Sequence, residues 1–170
     1  MSNPLRPPPP TLLDKYRGKE EQTLYSTTVT VTGGAAGHGR ASGIANSDDG
    51  KLAVELRLPE ELGGPGGGTN PEQLFAAGYA ACFHGALSLL AARAGIALTN
   101  ASVDVTVRFV RDPVDGMFAL TAYTRVRIPG VERALAEQLV RETERFTPYT
   151  KMARQGIENV VALAAPEDTG

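Results

Sequence analysis

The side chain best suited to nucleophilic chemistry is the thiol of Cys82, the single cysteine among 170 residues. A lone cysteine excludes an intramolecular disulfide. With His38 and His84 as the two histidines, it also excludes a cysteine-rich zinc site, and we expect no metal. If this thiol is oxidised during a reaction, the thiol that regenerates it must come from another molecule or another subunit.

A reactive cysteine needs a cation or a helix N-terminus to stabilise its thiolate. Cys82 lies beyond the first turn of its predicted helix, where the effect of the helix dipole fades. His84 is two residues away and faces roughly the opposite side. Arg40 is the better candidate, because a guanidinium stays charged when buried, and Glu60 or Glu61 could supply its carboxylate partner.

The helix around Cys82 starts and stops at recognisable residues. Asn70 is a good N-cap, Pro71 suits the first helical position, and Gly95 follows the predicted end near Arg93. Apolar residues cover nearly all of its sides, which predicts burial all round, either inside a wrapped sheet or in a dimer. The neighbours of Cys82 on this helix are mostly small, namely Gly78, Gly85 and Ala86, with the ring of Tyr79 at the edge.

The other elements predict an α+β fold. Alternating apolar residues predict strands over 24–32, 40–45, 52–58, 103–109 and 118–128, and a last strand through Ile157, Val161 and Leu163. An amphipathic helix is predicted over 131–146, and Thr147 and Pro148 begin a short helix ending near Gln155.

Composition limits the location and the partners. The formal charge of −2 argues against nucleic-acid binding, which requires a clustered basic excess. The most apolar run, Leu74–Leu90, is shorter than a membrane span, and prolines occupy the place of a signal-peptide core, so we expect a cytoplasmic protein that does not enter the membrane. We predict a flexible proline-rich extension over 1–21, one domain over 22–164 and a short tail over 165–170.

Two segments carry a long and specific resemblance to a known family. They are Glu61–Gly64 and Gly68–Phe83, the latter reading GTNPEQLFAAGYAACF. Asp49–Leu52, Pro129-Gly130 and Pro148–Lys151 add to it. The chain resembles the organic hydroperoxide resistance proteins of the Ohr/OsmC family from about residue 25 to residue 163.

The resemblance implies an intertwined homodimer in which antiparallel sheets wrap around buried central helices. It also implies a thiol peroxidase that needs neither metal nor flavin. Cys82 matches the peroxidatic cysteine, which reduces an organic hydroperoxide to an alcohol and becomes a sulfenic acid. Arg40 matches the arginine that stabilises the thiolate, and Glu61 matches the glutamate that orients this arginine.

One position departs from the family pattern. Where the family has a resolving cysteine before a proline, this chain has Thr147 before Pro148. A threonine cannot form a disulfide, so an external thiol or dithiol, such as a lipoyl group or a low-molecular-weight thiol, would have to reduce the sulfenic acid. Loss of the second thiol also leaves open a peroxide sensor, or a relative without peroxidase activity.

The resulting hypothesis is a one-cysteine organic hydroperoxide reductase that protects against oxidative stress. Aromatic and sulfur-containing side chains are the expected apolar wall for alkyl or lipid hydroperoxides, namely Phe75, Tyr79, Phe83 and Met152. One alternative is a binding module that holds an apolar molecule or lipid without chemistry, with Cys82 packed as a small hydrophobic residue. A cysteine hydrolase is another, and it requires His38 or His84 near the sulfur.

Overall fold

The computed structural model describes residues 15–34 and 41–164, which contain five strands and three α-helices. Strands β1 (Val29–Thr32), β2 (Ser42–Ser47) and β3 (Ala53–Arg57) form an antiparallel sheet in the order β1-β2-β3. Strands β4 (Ser102–Arg111) and β5 (Phe118–Arg127) form a second antiparallel sheet. The helices are α1 (Pro71–Arg93), α2 (Arg133–Phe146) and α3 (Pro148–Gln155). The predicted α+β fold is confirmed.

Two hydrogen bonds define the start of α1, one just before its first residue and one in its first turn. Just before it, the chain returns to β3, where the backbone N–H of Arg57 donates to the carbonyl of Thr69 at 2.8 Å. Asn70 then caps the helix, because its side-chain oxygen accepts the backbone N–H of Gln73 at 2.9 Å. Asn70 is itself buried. The predicted beginning of α1 is therefore confirmed, together with its cap.

The core lies where α1 packs against β4, β5 and α2. Leu87, Ala91 and Leu139 are almost inaccessible to solvent, and they form its centre. Partly buried apolar residues surround them, including Leu90, Ile96, Val103, Val126 and Ile128. Within one chain, α1 is thus buried along one side, and small or polar residues such as Ala77, Ala81, His84 and Gly85 stay exposed on another.

Two strand predictions are wrong, the first in its extent and the last entirely. The first strand was expected over 24–32 but begins at Val29, and Leu24 and Tyr25 are exposed coil. The segment 157–164 contains no strand, and Ile157, Val161 and Leu163 are largely exposed. Alternating apolar residues form a strand only where another strand supplies hydrogen bonds, and β1 pairs with β2 only from Val29 onward. The strand expected over 40–45 is β2, which begins at Ser42.

One helix in the described part of the chain, α1, is long and apolar enough to match a membrane span. It is longer than the apolar run considered in the sequence, because its ends include polar residues. The same length and composition occur in core helices, and α1 contributes Leu87 and Ala91 to the centre of the core. Its packing against β4 and α2 accounts for the apolar residues on its buried side.

Candidate functional site

Cys82 lies in the middle of α1 and is partly buried. A Cα–Cβ bond in a helix tilts toward the N-terminus, so this side chain leans over the preceding turn, which carries Gly78 and Tyr79. Because Gly78 has no side chain, the space over that turn is open to a group from another element. The structure fills it with a residue from α3.

That residue is Tyr149. A Cβ atom added at Gly78 would lie only 2.9 Å from the Tyr149 hydroxyl oxygen, so the tyrosine lies directly against the backbone of α1. Its ring centroid is 5.7 Å from that of Tyr79 and 6.4 Å from that of Phe75. The rings of Phe75 and Tyr79 meet edge to face at 6.1 Å. The three rings form an aromatic cluster (Phe75, Tyr79 and Tyr149) one turn before Cys82.

A chain of buried hydroxyl groups holds α3 against α1. The hydroxyl oxygens of Thr147 and Thr150 are 2.7 Å apart, and that of Thr150 is 3.3 Å from the Tyr79 hydroxyl oxygen. We call Tyr79, Thr147 and Thr150 the hydroxyl chain. Thr147, at the position of the expected missing cysteine, is 1% exposed. Its hydroxyl is therefore part of the protein interior, and it is bonded there.

The four residues expected to form one apolar wall lie in different places. Tyr79 and Phe83 are buried and line a cavity of about 320 Å³ between α1, β5, α2 and α3, whose lining also includes Tyr123, Val126, Val140 and Glu144. Phe75 belongs to the aromatic cluster. Met152 lines a second cavity, of about 360 Å³, together with Tyr149 and Ile157. Tyr149 thus connects the aromatic cluster with the surroundings of Met152.

The charged candidates are only partly located. Arg40 and His38 lie outside the described residues, so the role of Arg40 as the cation near the thiolate stays a prediction. Glu61 is exposed on a short 3-10 helix, Glu60–Leu62, that follows β3. His84 is exposed on α1. Among the described residues, no cluster of histidine, cysteine, aspartate or glutamate is suited to holding a metal ion.

Tyr149 is the residue of this site that the sequence reasoning missed. The small neighbours of Cys82 indicated an open surface beside an aromatic ring, and Tyr79 is such a ring. A second signal was available, because Tyr149 follows Pro148 at the start of an amphipathic helix and belongs to the motif that carried the resemblance. What the sequence did not show is that α3 packs on Gly78.

The family model for OsmC-like proteins matches residues 64–161. The chain belongs to the Ohr/OsmC family. The organic hydroperoxide resistance protein of Xanthomonas axonopodis pv. citri is 40% identical over 146 residues, which are 85% of this chain and 97% of that protein. These matches confirm the family resemblance and span Cys82, the aromatic cluster and the hydroxyl chain.

Solved structures of Ohr/OsmC proteins share the fold. The organic hydroperoxide resistance protein OsmC from Legionella pneumophila gives a TM-score of 0.70 at 38% identity, covering 79% of this chain and 93% of that one. OhrB of Bacillus subtilis gives 0.67 at 37% identity, covering 78% and 93%. The similarity thus extends over nearly the whole length of both relatives.

Proposed function

We propose that this Ohr/OsmC protein is a thiol-dependent peroxidase that reduces organic hydroperoxides to alcohols and so protects the cell against organic peroxides. Relatives that are about two-fifths identical and span most of the chain are named organic hydroperoxide resistance proteins. The observation that carries the proposal is the place of the single thiol: Cys82 is partly buried on the core helix beside an apolar aromatic cluster. A hydroperoxide with an alkyl chain suits such surroundings.

In the proposed reaction, the thiolate of Cys82 attacks the terminal hydroperoxide oxygen. An S–O bond forms as the O–O bond breaks, the sulfur loses two electrons, and the alkoxide takes up a proton to leave as the alcohol. Arg40 is proposed as the cation that stabilises the thiolate, and Glu61 as the carboxylate that orients it. No metal or other cofactor takes part in this scheme.

The return step requires an external reductant. A thiol attacks the sulfenic acid of Cys82, water leaves, and a second thiol reduces the mixed disulfide. Thr147 cannot replace this reductant, because a hydroxyl group cannot form a disulfide. We therefore propose a one-cysteine cycle supported by a low-molecular-weight thiol or a dithiol such as a lipoyl group.

We also propose that the protein acts as a cytoplasmic homodimer. Apolar side chains are exposed on strands and coil of the single chain, among them Ile44, Phe118, Leu120, Val161 and Leu163. Exposed apolar groups in this number favour burial against another surface. An intertwined dimer would cover them and the exposed side of α1 at once.

The test is intact mass spectrometry after addition of one equivalent of cumene hydroperoxide. We expect one added oxygen on the wild-type protein, removal of that oxygen by dihydrolipoamide or a small thiol, and neither change in Cys82→Ser. Continued consumption of hydroperoxide with excess thiol establishes the peroxidase. Oxidation once without turnover indicates a peroxide sensor instead, and no oxidation of Cys82 at all refutes both and favours a binding module.

A further inference from the structure

The hydroxyl group of Tyr149 lies against the turn of α1 that precedes Cys82, and it makes no hydrogen bond within residues 15–34 and 41–164. Its oxygen lies against Gly78, one helical turn before Cys82, on the side toward which the cysteine side chain leans. The other hydroxyls of this region, those of Tyr79, Thr147 and Thr150, are bonded to one another. Within the described residues Tyr149 therefore has an unbonded donor one helical turn from Cys82, on the side toward which the thiol leans.

The position of that donor is fixed from three directions. The Tyr79 and Phe75 rings hold the Tyr149 ring from the side. Thr150, its neighbour on α3, bonds to Tyr79 of α1 and so fixes the distance between the two helices. The backbone at Gly78 stops the ring from moving closer to α1. A donor held in this way can act without rearrangement when charge develops on a nearby oxygen.

We propose that Tyr149 is a catalytic residue whose hydroxyl donates a hydrogen bond, and then its proton, to the oxygen that leaves during peroxide reduction. This inference rests on the proposed function. As the S–O bond forms and the O–O bond breaks, the electron pair of the O–O bond goes to the alkoxide oxygen. That oxygen takes the Tyr149 proton, and the phenolate is reprotonated by solvent. A phenol is a stronger acid than an aliphatic alcohol, so the transfer is downhill.

The assignment predicts that the need for Tyr149 depends on the leaving group. Reduction of tert-butyl or cumene hydroperoxide expels an alkoxide, which must be protonated. Reduction of peracetic acid expels acetate, whose conjugate acid has a pKa of only about 4 to 5, so a proton donor gives little help. Tyr149→Phe keeps the ring and its packing and removes only the hydroxyl.

The experiment measures the second-order rate constant for single-turnover oxidation of Cys82 by each peroxide, in wild type, Tyr149→Phe and Gly78→Ala. For Tyr149→Phe we expect a loss of about 100-fold with alkyl hydroperoxides and an unchanged rate with peracetic acid. Gly78→Ala keeps the hydroxyl but places a methyl group 2.9 Å from its oxygen, so it must displace the donor and is expected to give the same selective loss. Tyr25→Phe, which removes the hydroxyl of an exposed tyrosine, is the matched control.

Each outcome decides the question. A selective loss in both variants supports the assignment. An equal loss with both kinds of peroxide means that Tyr149 only shapes the site, and no loss means that another group protonates the alkoxide; either result overturns the assignment and leaves the proposed peroxidase intact. If wild-type Cys82 reacts with neither peroxide, the proposed function fails, and the role of Tyr149 fails with it.

Discussion

Replacing Thr150 by valine tests whether the hydroxyl chain holds α3 on α1. Valine keeps the shape of the side chain and removes the hydroxyl, which bonds to Thr147 at 2.7 Å and to Tyr79 at 3.3 Å. All three residues are buried, so two hydroxyls lose a partner in the protein interior. An unsatisfied buried polar group costs about 1–3 kcal/mol.

The two bonds are not expected to contribute equally. The distance between Thr147 and Thr150 is ordinary for a hydroxyl pair, whereas that between Thr150 and Tyr79 is long and indicates a weaker bond. We therefore expect Thr150→Val to lower the free energy of unfolding by about 2–3 kcal/mol and Tyr79→Phe by about 1 kcal/mol. Because the two substitutions remove one shared bond, the double variant should lose about 0.5–1 kcal/mol less than their sum.

The assay is urea denaturation at one fixed protein concentration, followed by far-ultraviolet circular dichroism. Thr150→Ser is the matched control, since it keeps the hydroxyl and removes only a methyl group, and it should lose clearly less stability than Thr150→Val. If serine and valine destabilise equally, the methyl packing and not the hydroxyl holds the helices together. If the losses in free energy of unfolding caused by Tyr79→Phe and Thr150→Val are strictly additive in the double variant, the hydrogen bond between the two hydroxyls is refuted.

Three further predictions concern α1, the core and the turn between β2 and β3. Asn70→Ala removes the N-cap of α1 and should cost about 1 kcal/mol in the same urea assay. Leu87→Ala, at a fully buried position of the core, should cost about 2–5 kcal/mol. The Ser47 hydroxyl, and after it the backbone N–H of Lys51, donate hydrogen bonds to the Asp49 carboxylate and hold its pKa below the ordinary 3.8. We therefore expect NMR titration of this carboxyl to give a midpoint below 3.8, and Ser47→Ala to raise that midpoint. The stability due to this depressed pKa is present above pH 3.8 and is lost as the pH falls through the folded-state value.

The helices and the central hairpin could be predicted from the sequence because their signals are local. Asn70 and Pro71 define the start of α1, and both are short-range features. The loop at Asp112–Gly116 joins β4 and β5, and Arg111 at the end of β4 pairs with Phe118 at the beginning of β5. The residues that start or stop each of these elements are close to it in sequence, so no distant contact is needed to predict where it lies.

The wrong strand predictions and the contacts that were missed involve partners that are distant in sequence. The segments 24–28 and 157–164 alternate as strands do, but within the described residues no strand pairs with them. Met152 and Phe83 were both predicted to belong to an apolar wall; they line different cavities, and their contact with substrate stays a prediction. The contact between Tyr149 and Gly78 joins two elements across 71 residues of chain, as does the bond between Tyr79 and Thr150. Such contacts are set by tertiary packing, which a local pattern does not encode.

The fit between Gly78 and Tyr149 ties two distant positions together in evolution. A larger residue at 78 would collide with the phenol oxygen, whereas a smaller residue at 149 would free position 78 to accept a methyl group. Substitutions at the two positions should therefore be correlated among descendants of the same ancestor. A lineage that lost the tyrosine would be expected to lose the requirement for glycine soon afterwards.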